Sequence, residues 1–291
     1  MRLAERLRRG IFTTMVEIFP PNFSAEMAKE PLLGLRQKTQ DIVARMKKVE
    51  HLADCILVAD MKDVGRLKLS SVYTAATLKQ ELDIEVIPVI GARDSNRSAV
   101  RTLFLSALSY GLDSVMLVWG DKYAEGDGSS NVYDYPSLSA VVKEMRELAD
   151  RANVKATILA PVNVAALGTK KGDEIALSRI KSGADCLLAQ PPTTDVTETL
   201  ARHEKALEEK ELKNRVLLNV FPFTSKEDID ACRKRFGWDI SASLDRMAVE
   251  GGEARLLKES RSVVEKMRDD RLPGVYVSTR GKPELARFIL D

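Results

Sequence analysis

Residues Phe12–Ile18 read FTTMVEI, and Phe19-Pro20-Pro21 follow at once. The run is apolar and β-branched, with no polar residue at every second place. That composition predicts a strand buried on both faces, as in a parallel sheet. One residue does not belong: Glu17, near the carboxyl end of the run. A charge is costly inside an apolar strand unless something pairs with it or uses it. Glutamate is also a poor helix cap, and the stiff Pro20-Pro21 pair fixes the chain just beyond it.

Seven further runs of the same kind follow along the chain. They are Asp54–Ala59, Val86–Ile90, Ser114–Val118, Lys155–Ala160, Asp185–Ala189, Val216–Val220 and Val275–Ser278. Amphipathic stretches lie between them, among them Thr39–His51, Ser98–Tyr110, Tyr135–Arg151 and Glu174–Ser182. Eight strand–helix alternations, with starts mostly about 30 to 40 residues apart, predict a closed (β/α)8 barrel. An open doubly wound sheet is the competing architecture, but no GxGxxG follows the first strand. Gly111 and Gly183 stand where helix-ending glycines belong. Arg233–Arg271 is too long for one barrel helix and predicts an additional helix or two before the last strand. One α/β barrel domain over residues 1–291 accounts for the whole sequence.

Lys plus Arg number 45 and Asp plus Glu 43, so the net charge of +2 gives no reason to expect nucleic acid. No apolar run reaches membrane-spanning length. The basic start MRLAERLRRGIF lacks the apolar core of a secretory signal and reads as a short amphipathic helix. Three cysteines, Cys55, Cys186 and Cys232, are too few for a disulfide framework, and the two histidines, His51 and His203, exclude a His-rich metal site. A cytoplasmic enzyme with reduced, buried thiols is expected.

In such a barrel, function collects where the strands end. Strand one ends on Glu17, strand two on Asp60 and strand four on Trp119-Gly120-Asp121. Strand three leads into Gly91-Ala92-Arg93-Asp94-Ser95-Asn96-Arg97. Strand six ends on Gln190-Pro191-Pro192, and strand seven on Asn219-Val220-Phe221-Pro222. Asp60 reads equally as a functional carboxylate or as a rim charge or helix cap. Glu17 reads as an active-site carboxylate whose burial favours the protonated, proton-donating form.

Four of these segments, VEIFPP (Val16–Pro21), GARDSNR (Gly91–Arg97), GLDSVMLVWGD (Gly111–Asp121) and GADCLLAQP (Gly183–Pro191), come in the order and spacing of the methylenetetrahydrofolate reductases. The terminal GVYVSTRGKPELARFIL also resembles that family's last strand and helix. The resemblance implies a barrel that reduces the methylene bridge of a tetrahydropterin to a methyl group, usually through FAD reduced by NAD(P)H. It implies Glu17 as general acid, Asp121 as the charge stabilising the iminium, and Gln190 and Phe223 as substrate contacts. Asp60, Arg93, Asp94, Asn96, Trp119, Gly120, Lys170 and Lys171 would lie toward the cofactor. A pterin would be the small-molecule partner, in a homo-oligomer or with a partner subunit.

The sequence departs from the family on the flavin side. Ala59 and Trp119 stand where Thr, and Arg or Thr, are usual, and Val89 is near the usual His. Leu159–Val164 lacks the family's aromatic and histidine residues. Trp119 reads as a stacking surface or a rim aromatic. Gly168–Gly172, with Lys170 and Lys171, reads as a phosphate-binding turn before a helix or as a solvated basic turn. Three readings stay open: a divergent FAD-dependent reductase, a reductase that is flavin-free or works with a partner, and a non-redox pterin-binding or methyl-transfer subunit.

Overall fold

In the computed structural model, which describes residues 1–23, 31–60, 67–120, 134–190, 212 and 214–291, eight parallel strands close on themselves in sequence order. They are β1 (Thr13–Ile18), β2 (Cys55–Val58), β3 (Glu85–Gly91), β4 (Ser114–Val118), β5 (Thr157–Asn163), β6 (Cys186–Gln190), β7 (Val216–Val220) and β8 (Gly274–Ser278). Each falls on a predicted run. The open sheet is excluded by the pairing of β8 with β1, where Glu17 lies opposite Ser278. The largest shift is in β5, which starts and ends later than Lys155–Ala160. Its extra length includes Pro161 and Asn163, paired with Leu188 and Gln190 of β6. The carbonyl of Pro161 accepts a hydrogen bond from the Arg179 guanidinium.

Two-residue alternation sorts the side chains. Met15, Cys55, Leu57, Ile87, Val89, Met116, Leu159, Cys186, Leu188, Leu217 and Tyr276 form the packed barrel interior. Their neighbours, such as Val16, Ile56, Leu187, Leu218 and Val275, face the surrounding helices. The opening amphipathic segment forms a helix, Leu3–Arg8, that stoppers the amino-terminal end. Leu3 and Leu7 join the interior cluster there. Glu85 Oε2 accepts from Leu3 N at 2.6 Å, and Arg6 pairs with Asp54 at 2.9 Å. All three cysteines are buried and none is in a disulfide, and burial pushes the Cys55 and Cys186 thiols up.

The helix before β2 spans Pro31–Lys47, beginning well ahead of the predicted Thr39. Its first turn exposes Leu32 and Leu33, which hides the amphipathic pattern there. Gly111 and Gly183 both take positive φ after their helices. Two helices, Lys226–Phe236 and Ala242–Asp269, precede β8, as the long segment implied, and the second is interrupted at Gly252. Among the described residues no helix is long and apolar enough to cross a membrane.

The seam that closes the barrel depends on Gly274. Its φ is +155°, and a Cβ there would lie 2.2 Å from Thr13 O and 2.8 Å from Thr13 N. Neither backbone atom can move without disturbing the β8–β1 pairing. Gly274→Ala is therefore expected to destabilise the fold by roughly 3 kcal/mol or more, measured by denaturant unfolding. A change within about 0.5 kcal/mol, the range of an ordinary surface substitution, would show that the seam is not tight.

Candidate active site

The carboxyl ends of four adjacent strands, β6, β7, β8 and β1, carry polar groups on the inward face. Gln190 follows Leu188 by two residues, Asn219 follows Leu217, Ser278 follows Tyr276 and Glu17 follows Met15, so all four share the interior parity. Facing them, the inward positions Leu57, Val89, Val118 and Pro161 on β2–β5 are apolar, and beyond them the side chains of Asp60 and Arg93 cover Gly91 and Gly120. The mouth of the barrel thus has a hydrogen-bonding arc facing one that is apolar below and charged at its rim.

Tyr276 joins the polar arc together. Its hydroxyl donates to Glu17 Oε1 at 2.8 Å. The same oxygen accepts from Ser278 Oγ at 2.9 Å and faces Gln190 Nε2 at 3.5 Å. Burial, and then the charge of Glu17, push the phenol well above its usual range, so it remains a neutral donor. Thr279 Oγ1 donates to the backbone carbonyl of Glu17 at 2.5 Å, fixing the strand end as well. Glu17 itself is partly buried. At the opposite end of the barrel, by contrast, carboxylates serve the fold. Asp54 Oδ2 holds Thr14 N at 2.8 Å and Thr14 Oγ1 at 3.0 Å, and Asp185 Oδ2 holds Ile158 N at 2.8 Å.

Asn219 is 2% exposed, and its Oδ1 has no hydrogen-bond partner among the described residues. Leaving such a group unpaired in the interior costs about 1–3 kcal/mol. It sits level with Tyr276 in the β7–β8 register.

The structure brings Glu17 and Gln190 together through Tyr276. It disposes the other proposed site residues differently. Asp60 Oδ2 accepts from Gly91 N at 2.8 Å, tying the ends of β2 and β3. A Cβ at position 91 would come within 2.9 Å of that oxygen, which is why glycine stands there. Arg93 is 9% exposed and donates through Nε to Gly120 O at 2.9 Å, while its backbone N donates to Trp119 O at 2.9 Å. Asp94 takes a φ of +58° in the turn that follows. Asn96 caps the helix Arg97–Ser109, its side chain accepting from Ala99 N at 2.8 Å. Trp119 packs against the layer between sheet and helices. Asp121 lies outside the described residues.

Lys170 and Lys171 do not precede their helix but form its exposed first turn, because Thr169 is the cap, accepting from Gly172 N at 3.2 Å. Asp173, in that turn, accepts from Gly168 N at 2.8 Å, so a carboxylate already occupies this helix start. Phe223 is 3% exposed, 4.8 Å from the Phe221 ring centroid, in a cluster with Ile229, Cys232, Ile240, Leu244 and Leu256. The loop that carries it is braced by Arg280, which donates to Pro222 O at 3.2 Å and pairs with Asp228 at 2.5 Å.

Tyr276 and Ser278 were not singled out from the sequence. The available signal was their shared parity in Val275–Ser278, which puts both hydroxyls on one face of a strand expected to be buried. A cleft of about 730 Å³ lies at the amino-terminal end, lined by Arg2, Arg146, Asp185 and Arg215 among others. Arg2 there is paired with Asp113, and Arg146 with Asp185, both at 2.6 Å. In this architecture that end serves stability, and the chemistry belongs to the Glu17 end.

The fold and the site define a (β/α)8-barrel protein with a carboxylate, two carboxamides and a phenol gathered at the carboxyl ends of its strands. The sequence matches methylenetetrahydrofolate reductase over residues 2–250. The chain belongs to the methylenetetrahydrofolate reductase family. No curated protein matches it. Among solved structures it is similar to an uncharacterised Clostridium thermocellum protein that binds two copies of 5-methyl-5,6,7,8-tetrahydrofolic acid. The two share 14% identity over 98% of each chain, with a TM-score of 0.66. Phosphonopyruvate hydrolase, solved with oxalate and Mg²⁺, shares 17% identity over 93% of this chain and 87% of its own, at a TM-score of 0.49. At these identities the first likeness shows the barrel, and the second carries no argument.

Proposed function

We propose that this protein reduces a methylene-tetrahydropterin, 5,10-methylenetetrahydrofolate or a related carrier, to the 5-methyl form. The observation that carries the proposal is the Tyr276–Glu17 hydrogen bond at the carboxyl end of the barrel. Family membership supplies the reaction class, and the methylated folate bound by the Clostridium thermocellum protein supports a pterin ligand. Glu17 protonates the departing nitrogen. The bond from that nitrogen to the bridge carbon breaks, and the remaining nitrogen and the carbon form an iminium. Hydride adds to the carbon and completes the methyl group. Asp121 stabilises the cation by charge, and Gln190 orients the ring.

The family generally uses FAD and NAD(P)H. The described residues expected toward the flavin make contacts within the protein itself. Asn96 is a helix cap, Asp60 and Arg93 brace strand ends, Trp119 packs away from the mouth, and Lys170 and Lys171 share their helix start with Asp173. NAD(P)H is proposed as the hydride source, with no step assigned to flavin. The visible spectrum of the purified protein, before and after NAD(P)H, tests this. Colourless protein that oxidises NAD(P)H only when methylene-pterin is present supports direct transfer. Flavin absorbance that bleaches restores the flavin route. Absence of turnover with tight methyl-pterin binding supports the second reading, a non-redox pterin-binding or methyl-transfer subunit.

Tyr276 acts here as a positioning residue. Tyr276→Phe removes the hydroxyl that donates to Glu17 Oε1 while keeping the ring that fills the barrel. Loss of one hydrogen bond that orients the protonated acid, worth about 0.5–1.5 kcal/mol between neutral groups, is expected to lower kcat roughly 2- to 10-fold. KM for the pterin should stay near its original value. An unchanged kcat would show that the contact does not position the acid.

A further inference from the structure

Asn219 is buried on the interior face of its strand, level with Tyr276, and carries an amide oxygen with no hydrogen-bond partner among the described residues. Its own strand supplies no reason for this. Val216, Leu218 and Val220 face the helices, and Leu217 fills the interior below it. An apolar residue would fit such a place without leaving a polar atom unpaired. Its neighbours differ in this respect, because the Gln190 amide faces the Tyr276 hydroxyl at 3.5 Å and Tyr276 is bonded to Glu17 and Ser278. The hydrogen-bonding arc is therefore internally connected at Gln190, Tyr276, Ser278 and Glu17, and open at Asn219.

The chemistry of the missing partner follows from the atom that lacks it. A carbonyl oxygen needs an N–H or O–H donor. On the opposite arc Leu57, Val89, Val118 and Pro161 offer apolar contact to a flat ring, while Asp60 and Arg93 are bonded to the backbone at Gly91 and Gly120. A planar heterocycle with a ring N–H on its edge satisfies both arcs at once. A carboxamide also sets a donor beside its acceptor, the complement of a ring lactam, in which N–H and C=O stand side by side.

We infer that Asn219 is a specificity-determining residue whose Oδ1 accepts the ring N–H of a lactam-bearing heterocycle seated in the barrel mouth. This rests on the pterin reading above, under which the lactam is that of the pterin's pyrimidinone ring. The pocket accordingly discriminates against rings in which that nitrogen carries no hydrogen. Sites that hydrogen-bond a ligand N–H reject analogues lacking it far more strongly than apolar pockets reject an altered shape.

Calorimetric titration of the full chain with 5-methyltetrahydrofolate, and with the same compound methylated on the lactam nitrogen, tests the inference. The unaltered protein is expected to bind the parent at least tenfold more tightly than the N-methylated compound. Asn219→Leu is expected to weaken parent binding at least tenfold and to erase that discrimination. Its Tm should equal or exceed the original, because an unpaired polar group has been removed. A residue needed only for packing would instead lower Tm and leave discrimination intact. Equal binding of the two compounds by the unaltered protein overturns the inference and needs no variant that folds. Parent binding by Asn219→Leu equal to that of the unaltered protein overturns it as well. Failure of the unaltered protein to bind the parent at all overturns the pterin reading, and this inference with it.

Discussion

Glu17→Gln is expected to abolish most methylene-pterin reduction, lowering the rate by about 10²- to 10⁴-fold, the contribution of a positioned general acid. The substitution is nearly isosteric. The amide oxygen can still accept from Tyr276, whose hydroxyl lies 2.8 Å from Glu17 Oε1. The Thr279 bond is to the backbone carbonyl of residue 17 and is untouched. Fold and pterin affinity are therefore retained, and the loss falls on kcat. What disappears is the proton: an amide cannot protonate the departing nitrogen, so the carbon–nitrogen bond does not open and no iminium forms. Oxidation of NAD(P)H by an artificial acceptor, if the protein carries it out, should persist. The two assays run side by side isolate the acid step. Near-normal pterin reduction by the variant would remove Glu17 from the mechanism.

Asp121→Asn is expected to slow pterin reduction about 10²- to 10³-fold, the usual cost of losing one electrostatic partner of a developing charge. The role proposed for Asp121 is the opposite of that of Glu17. One carboxyl group must give up a proton, and the other must stay ionised to stabilise the cation that results. Two carboxyl groups in one site can do this only if their surroundings differ. Glu17 stands on a strand inside the barrel, bonded to a buried phenol. Asp121 follows Gly120, whose carbonyl is held by Arg93 at the rim. Steady-state kinetics with saturating pterin measures the effect. An unchanged rate would reduce Asp121 to a rim charge.

Much of the architecture was legible because it rests on local signals. Two-faced burial gives a parallel strand a continuous apolar run, so all eight strands could be read to within a few residues. Glu17 stood out by the same rule, as a charge inside such a run. The starts of the helices Pro31–Lys47 and Lys170–Lys181 were less visible. The first opens with exposed leucines that break the periodicity, and the second begins on two lysines after the Thr169 cap. Asn96, expected toward the cofactor, caps the helix Arg97–Ser109 in the structure. Phe223 illustrates a different limit. An aromatic after a strand can face the mouth or pack behind it, and the ring is found behind, among residues of the two helices that precede β8.

By itself, the sequence determined the eightfold alternation, the end of the barrel where chemistry belongs, and the anomaly of Glu17, since each follows from side-chain type and spacing along the chain. Only the tertiary structure decided what surrounds Glu17. Tyr276 is 259 residues away in sequence and Gln190 is 86 from Tyr276. They meet because closure sets β8 beside β1 and staggers the strands so that Glu17 faces Ser278. The same closure leaves the Asn219 oxygen buried without a donor among the described residues. A hydrogen bond needs its atoms about 3 Å apart, and only strand register, fixed by pairing across the whole barrel, sets distances between residues so far separated in the chain.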